Sequence, residues 1–188
     1  MTILKNVYQK DILIQDVKNN LYLISNEGVI RWKKRISGAI LGKVTQVDLF
    51  KNGNLQMSFA TENRVYILDL LGKDIGNFPL KFKDNISLPL AVYDYDKNRN
   101  YRFLVTQGKN LLMYDGKGQR VNGFKYKPEE EIKFTPKHIR YRNKDYIVFY
   151  HGKKMKILNR RGKTRIQVKE ILTSQGKIYF FTKICFQL

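Results

Sequence analysis

An all-β chain of successive small antiparallel sheets is the fold class predicted for these 188 residues. Three features predict it. Four apolar strands each run into a turn with a polar residue three places before a glycine, the turns recur at near-constant intervals, and no stretch shows the 3.6-residue apolar period of a helix.

The segments LYLISNEGVIRW, VYILDLLGKDI, LLMYDGKGQRV and MKILNRRGKTRI align on Gly28, Gly72, Gly118 and Gly162, at steps of 44, 46 and 44 residues. Three places before each glycine stands Ser25, Asp69, Asp115 or Asn159, residue types whose short side chains bond backbone amides at the first position of a β-turn. The glycine then supplies the left-handed conformation that closes such a hairpin with a bulge. Ahead of each of the first three turns the strand is apolar on both faces: Leu21 to Ile24, Val65 to Leu68, Leu111 to Tyr114. That pattern suits a sheet covered by neighbours on both sides.

Taken in order, the first unit (8–40) is short. Asp11 to Gln15 and Leu21 to Ser25 supply its middle strands and Ile30 to Ile36 its outer one, and nothing is expected before them as an inner strand. The second unit (44–82) adds Val44 to Phe50 and Leu55 to Thr61, joined by Lys51-Asn52-Gly53-Asn54, a hairpin signal. The third (90–126) adds Ala91 to Tyr95 and Tyr101 to Thr106, and the fourth (137–170) adds His138 to Arg142 and Tyr146 to Tyr150, with Asn143-Lys144-Asp145 between them. Residues 171–188 contain one extra strand, Lys177 to Lys183. Four strands in roughly 40 to 45 residues is the period of a β-propeller blade. Two closures are open: the last strand completes the opening blade of a small four-bladed ring, or the chain is an incomplete propeller. The second is favoured, because the tail fits the repeat poorly. It predicts exposed sheet surface and self-association through open edges.

Lys and Arg number 36 against 16 Asp and Glu, a net charge of +20 with a pI near 10. Such a field attracts anionic partners, but lysine-rich outer strand faces that stay in water account for it as well, and that reading is favoured. The single cysteine, Cys185, excludes an internal disulfide and a thiolate metal cluster. No stretch approaches the ~20 apolar residues of a membrane-spanning helix. The opening MTILKNVYQKDILIQ lacks the apolar core of a signal peptide, so the expected compartment is the cytoplasm, or the periplasm or cell envelope if the chain belongs to a longer precursor.

The stretch Leu21-Tyr22-Leu23-Ile24-Ser25-Asn26-Glu27-Gly28-Val29-Ile30-Arg31-Trp32 resembles the repeat of quinoprotein-like (PQQ-like) propellers, Leu-Tyr-Ala-Leu-Asp-x-x-x-Gly-x-x-x-Trp. The other units keep the strand and the glycine, with Gly76, Asn122 and Ile166 at the tryptophan position. VYDYDKNRNYRFLVTQGKNLLMYDGKGQ is similar to FG-GAP or VCBS-type repeats. The resemblance implies bacterial-type propeller repeats, many of them noncatalytic scaffolds and a minority carrying a quinone.

Asp94, Asp96 and Asn98 place oxygen ligands at alternating positions of a tight loop, the way calcium is wrapped. Arg99 stands where that motif has glycine, no closing carboxylate follows, and an Asx-type hairpin turn accounts for the same residues. No other cofactor is expected. Glu129-Glu130-Glu131 reads as a solvated loop, and neither His138 nor His151 lies in a nucleophile setting. From His151 to Lys169 the chain carries Lys153, Lys154, Lys156, Arg160, Arg161, Lys163, Arg165 and Lys169 with no acid, a candidate surface for phosphates. The expected function is thus a noncatalytic scaffold for a protein partner. The alternative is a module that binds nucleic acid or another polyanion, and a cofactor-dependent enzyme comes third.

Overall fold

The computed structural model describes residues 2–6 and 9–168, with side chains from residue 10 onward. Among the described residues every element is a β-strand, and the strands form four antiparallel sheets one after another along the chain. The first contains β1 (Thr2–Asn6), β2 (Gln9–Gln15), β3 (Asn20–Ile24) and β4 (Ile30–Arg35). The second contains β5 (Thr45–Val47), β6 (Gln56–Ala60), β7 (Arg64–Leu68) and β8 (Leu80–Lys81). In the third are β9 (Ala91–Tyr93), β10 (Arg102–Gln107) and β11 (Asn110–Asp115). The fourth holds β12 (Lys137–Tyr141), β13 (Lys144–His151), β14 (Lys154–Leu158) and β15 (Thr164–Ile166). Within each sheet, neighbours in sequence are neighbours in space, the meander of an open propeller.

The hairpins repeat atom by atom. Gly28, Gly72, Gly118 and Gly162 have φ between +76° and +82°, and their amides donate to the carbonyls of Ser25, Asp69, Asp115 and Asn159 at 2.9–3.1 Å. The cap side chains close the same turns: Asp69 Oδ1 accepts from the amides of Leu71 and Lys73, Asp115 Oδ1 from Lys117 and Gln119, and Asn159 Oδ1 from Arg161 and Lys163. Ser25 Oγ does so more loosely, at 3.3 and 3.2 Å to Glu27 and Val29.

Three expectations need correction. The first sheet does have an inner strand, since Thr2–Asn6 pairs antiparallel with β2. TILKN shows no alternation of apolar and polar residues. The place that the closed-ring reading gives to the last strand is therefore filled by β1. Residues 171–188 and Lys169 lie outside the described residues. The third sheet has three strands rather than four, because after one bridge, Tyr114 to Arg120, the chain turns away at Val121–Phe124. Finally, β13 begins at Lys144, on a two-residue turn in which Arg142 and Asn143 both have positive φ, so Asp145 belongs to a strand and not to a loop.

Period-two alternation assigns each sheet's side chains to two cores. Leu13, Leu21 and Leu23 of the first sheet meet Met57, Phe59, Tyr66 and Leu68 of the second. Val47, Ala60, Val65 and Ile67 on the second sheet's other face meet Phe103 and Val105 of the third. Leu104, Leu111 and Met113 then meet Ile147, Phe149 and Leu158 of the fourth.

Pairing with the hairpin strand puts Ile12, Met57, Phe103 and Ile147 at one repeat position, opposite the residue four before the glycine. Ile14, Phe59, Val105 and Phe149 share the next position on that face. In the second, third and fourth sheets these residues pack on the preceding sheet and are 0% exposed.

One joint between sheets rests on a glycine. Trp32 lies on Gly72 so closely that a Cβ there would stand 2.9 Å from the ring, and its Nε1–H donates to Leu70 O at 2.8 Å. Gly28, at the same repeat position, has open space around it. Gly28→Ala is expected to cost about 1 kcal/mol, from backbone conformation alone, and Gly72→Ala about 1–3 kcal/mol more, because the Trp32 ring must move. Urea unfolding of both variants checks this; equal losses would contradict the Trp32 contact.

Candidate interaction surfaces

Asp94, Asp96 and Asn98 do not converge on one point. Asp94 closes its own turn, Oδ1 accepting from the Asn98 amide at 3.1 Å and Oδ2 from the Arg99 amide at 2.9 Å. Asp48 does the same in the second sheet, to Asn52 and Gly53. Arg99 occupies the place of Gly53 with φ +64°, where glycine has +82°, a conformation that strains a non-glycine residue by roughly 1 kcal/mol. Its guanidinium reaches the buried Asp48 carboxylate of the second sheet at 2.8 Å. Asn98 Oδ1 accepts from the Asn100 amide. These are the bonds of an Asx-type turn. Asp96 points away, to Arg140 at 2.7 Å and bidentate to Arg160 at 3.1 and 3.0 Å. Among the described residues, no group of three or more His, Cys, Asp or Glu side chains could hold a metal ion.

Asp96 belongs to a charged latch between the third and fourth sheets, centred on Asp145, which is 2% exposed. Asp145 accepts from His138 Nε2 at 3.0 Å, Arg140 at 3.3 Å and Arg160 Nε at 2.7 Å, and its carbonyl accepts from Arg165 Nε at 2.7 Å. The Arg160 guanidinium also lies 5.0 Å from the centroid of Tyr95. Burial alone would raise the Asp145 carboxyl, but the hydrogen bonds from His138 and Arg160 outweigh it and hold the pKa below its ordinary value. Asp96 is lowered too, chiefly by its bond to Arg160, and Arg160 is raised in return.

The basic stripe therefore divides. Arg160 and Arg165 are internal fasteners. Lys153 and Lys154 lie at one end of β14, Lys154 being 3.8 Å from Glu129, and the exposed Arg161 and Lys163 lie in the turn at the other end, with Lys156 on the strand between. A five-residue strand sets the two ends about 15 Å apart, with Lys156 between them.

Two further groups had no function assigned by sequence reasoning. His151 ends β13 fully buried, and neither ring nitrogen has a hydrogen-bond partner among the described residues. Desolvation, with Lys156 second, lowers its pKa below 6.5, while Glu130 and Glu129 pull weakly the other way. On the inner strands β5, β9 and β12, a cavity of about 540 Å³ opens beside Thr45, Val92 and His138; of its titratable residues, Asp94 and His138 are committed to the turn and the latch and the Tyr93 hydroxyl donates to Pro136 O, while Lys43 and Lys137 also line it.

The fourth surface is the face of the first sheet that looks away from the second. Ile12 and Ile14 lie there 43% and 47% exposed. Beside them are the half-buried Tyr22 and Ile24. Tyr22 is fixed by its hydroxyl donating to Asp16 at 3.0 Å, and Lys33 Nζ lies 5.3 Å from its ring centroid. Nothing in the sequence distinguishes Ile12 and Ile14 from their buried counterparts Met57 and Phe59.

No protein-family description and no curated protein matches the chain. Among solved structures it is similar to BBS1N in complex with ARL6DN, in a crystal soaked with mercury, with a TM-score of 0.57 at 13% identity. A lead-soaked crystal of the same complex gives 0.52 at 11% identity. The matches cover 84% and 80% of this chain and 48% and 50% of the solved ones, so the chain spans about half the length of these relatives in fold. The likeness supports a propeller-type fold. Among the described residues no helix is long and apolar enough to cross a membrane.

His151 and the latch carboxylates predict two losses of stability as pH falls. His151 has a folded pKa below 6.5, so the unfolded chain takes up its proton first and stability declines as pH drops through about 6.5. Asp145 and Asp96 have folded pKa values below 3.8; their contribution is complete above that value and disappears as pH falls through the lowered ones. Urea midpoints should fall through the upper step between pH 7 and pH 5 and begin the lower one as pH drops below 3.8, and His151→Phe should remove the upper one only. A flat profile between pH 7 and pH 5 in the unsubstituted protein would contradict the buried neutral imidazole.

Proposed function

We propose that this chain is a noncatalytic propeller-type scaffold that binds another protein through the uncovered face of its first sheet. The single observation that carries this reading is the contrast at one repeat position: Met57, Phe103 and Ile147 are 0% exposed, and Ile12 is 43% exposed. The next position repeats it, with Phe59, Val105 and Phe149 at 0% and Ile14 at 47%. An apolar strip flanked by polar residues on an otherwise strongly charged protein marks an interaction site. The similar solved chain BBS1N is described in complex with ARL6DN, which fits a fold that holds partners, though fold alone assigns no function. Polyanion binding has weaker support, since two arginines of the candidate stripe are bound within the latch.

Photo-cross-linking inside the host cell separates the two. With p-benzoylphenylalanine in place of Ile12, the expected product is an adduct with a polypeptide; in place of Lys163, little or none is expected. Adducts with nucleic acid at position 163, together with binding of labelled RNA or DNA that weakens steeply between 50 and 200 mM salt, would overturn the scaffold reading in favour of the basic module.

A further inference from the structure

The uncovered face specifies its missing neighbour more closely than an exposed apolar strip normally does. At both repeat positions the counterparts of Ile12 and Ile14 are covered by the trailing face of an antiparallel sheet. Three sheet-to-sheet joints built to one register define the shape that the fourth one fits: a sheet packed about 10 Å away, with its strands roughly aligned.

The charge around the strip defines the rest. Alternation along β2 puts Lys10 on this face beside Ile12 and Ile14, and pairing of β3 with β4 sets Lys33 against Tyr22 and Arg35 against Asn20 on the same side. All three cations are exposed. Asp16, at the end of the strip, is already bonded by Tyr22, Asn20 and the Lys18 amide. The rim is thus basic.

A second copy of this chain fits poorly in either arrangement. Two first sheets set face to face would bring the Lys10, Lys33 and Arg35 rims together, on chains that each carry +20. Head-to-tail association would seat these cations on the trailing face of the fourth sheet, where Val148 and Tyr150 are 5% and 6% exposed, Tyr141 and Ile166 are 42% and 47% exposed, and strand pairing places the exposed Lys144 beside Tyr141, so it too sets cation against cation.

We infer that the first sheet is completed by an antiparallel sheet of a different polypeptide, apolar on the contacting face and acidic at its rim. This rests on the protein-binding reading above and adds the partner's class.

The test places p-benzoylphenylalanine at position 14 in the full chain, in its host cell, and maps the adduct by tandem mass spectrometry. It is repeated with Lys10→Glu, Lys33→Glu and Arg35→Glu combined. The adduct is expected on an alternating apolar strand of another protein, next to Asp or Glu, and the charge reversal should lower its yield about tenfold. Circular dichroism of the reversed protein, whose changes are all at exposed positions, checks that it folds. An adduct on a second copy, on a helical peptide, or on another protein with yield unmoved by the reversal overturns this inference and leaves the scaffold proposal standing. Absence of any polypeptide adduct removes both.

Discussion

Two-sided apolar sheets are the constraint on which the rest of this molecule depends. A strand such as RVYIL in β7, with its last four residues buried, cannot lie with one face in water, so a single sheet of this kind has no stable existence and must be stacked between others. Phe59, Phe103 and Phe149 each fill the gap to the preceding sheet and are each completely buried. The glycine-closed hairpins make that stacking possible by fixing register, because a one-residue slip would exchange the two faces of a strand and misdirect both cores at once.

Around this frame, several charged residues fasten adjacent sheets together. Arg99 of the third sheet reaches back to Asp48 of the second, and Arg140 and Arg160 of the fourth reach back to Asp96 of the third. Both contacts join the turn after one inner strand to an arginine of the next sheet. Both carboxylates are nearly dry, Asp48 at 4% and Asp145 at 2% exposed; Asp145 shares its charge among His138, Arg140 and Arg160, whereas loss of Arg99 would leave Asp48 with its two backbone amides and an uncompensated buried charge. The large positive charge of the chain is therefore not one surface: part of it is neutralised in latches, and the remainder is spread over exposed turns and strand faces.

The repeat was legible because its cause is local. Asp69 and Gly72 lie three residues apart, and the hydrogen bonds that require them close within one turn. What failed to show in the sequence is set by contacts between distant residues. Asp96 looks like a ligand beside Asp94 and Asn98, but its partner Arg160 is 64 residues away, and Asp145 reads as a turn residue until the register of β13 is known. Thr2–Asn6 lacks the alternation of apolar and polar residues that would mark it as a strand. The uncovered face was least legible of all. Ile12 and Ile14 have the same character as residues that are wholly buried, and only the order of sheets in space distinguishes them.

Thiol labelling tests that order most directly. Cys185 is replaced by serine, and a single cysteine is introduced in turn at Ile12, Met57, Phe103 and Ile147, one position in four sheets. Stacking with an uncovered first sheet predicts that the thiol introduced at position 12 of the purified protein reacts at nearly the rate of an unfolded peptide. The other three should be protected by about a hundredfold or more, opening only with the structure around them. Equal protection at all four positions, or rapid reaction at position 103, would contradict it.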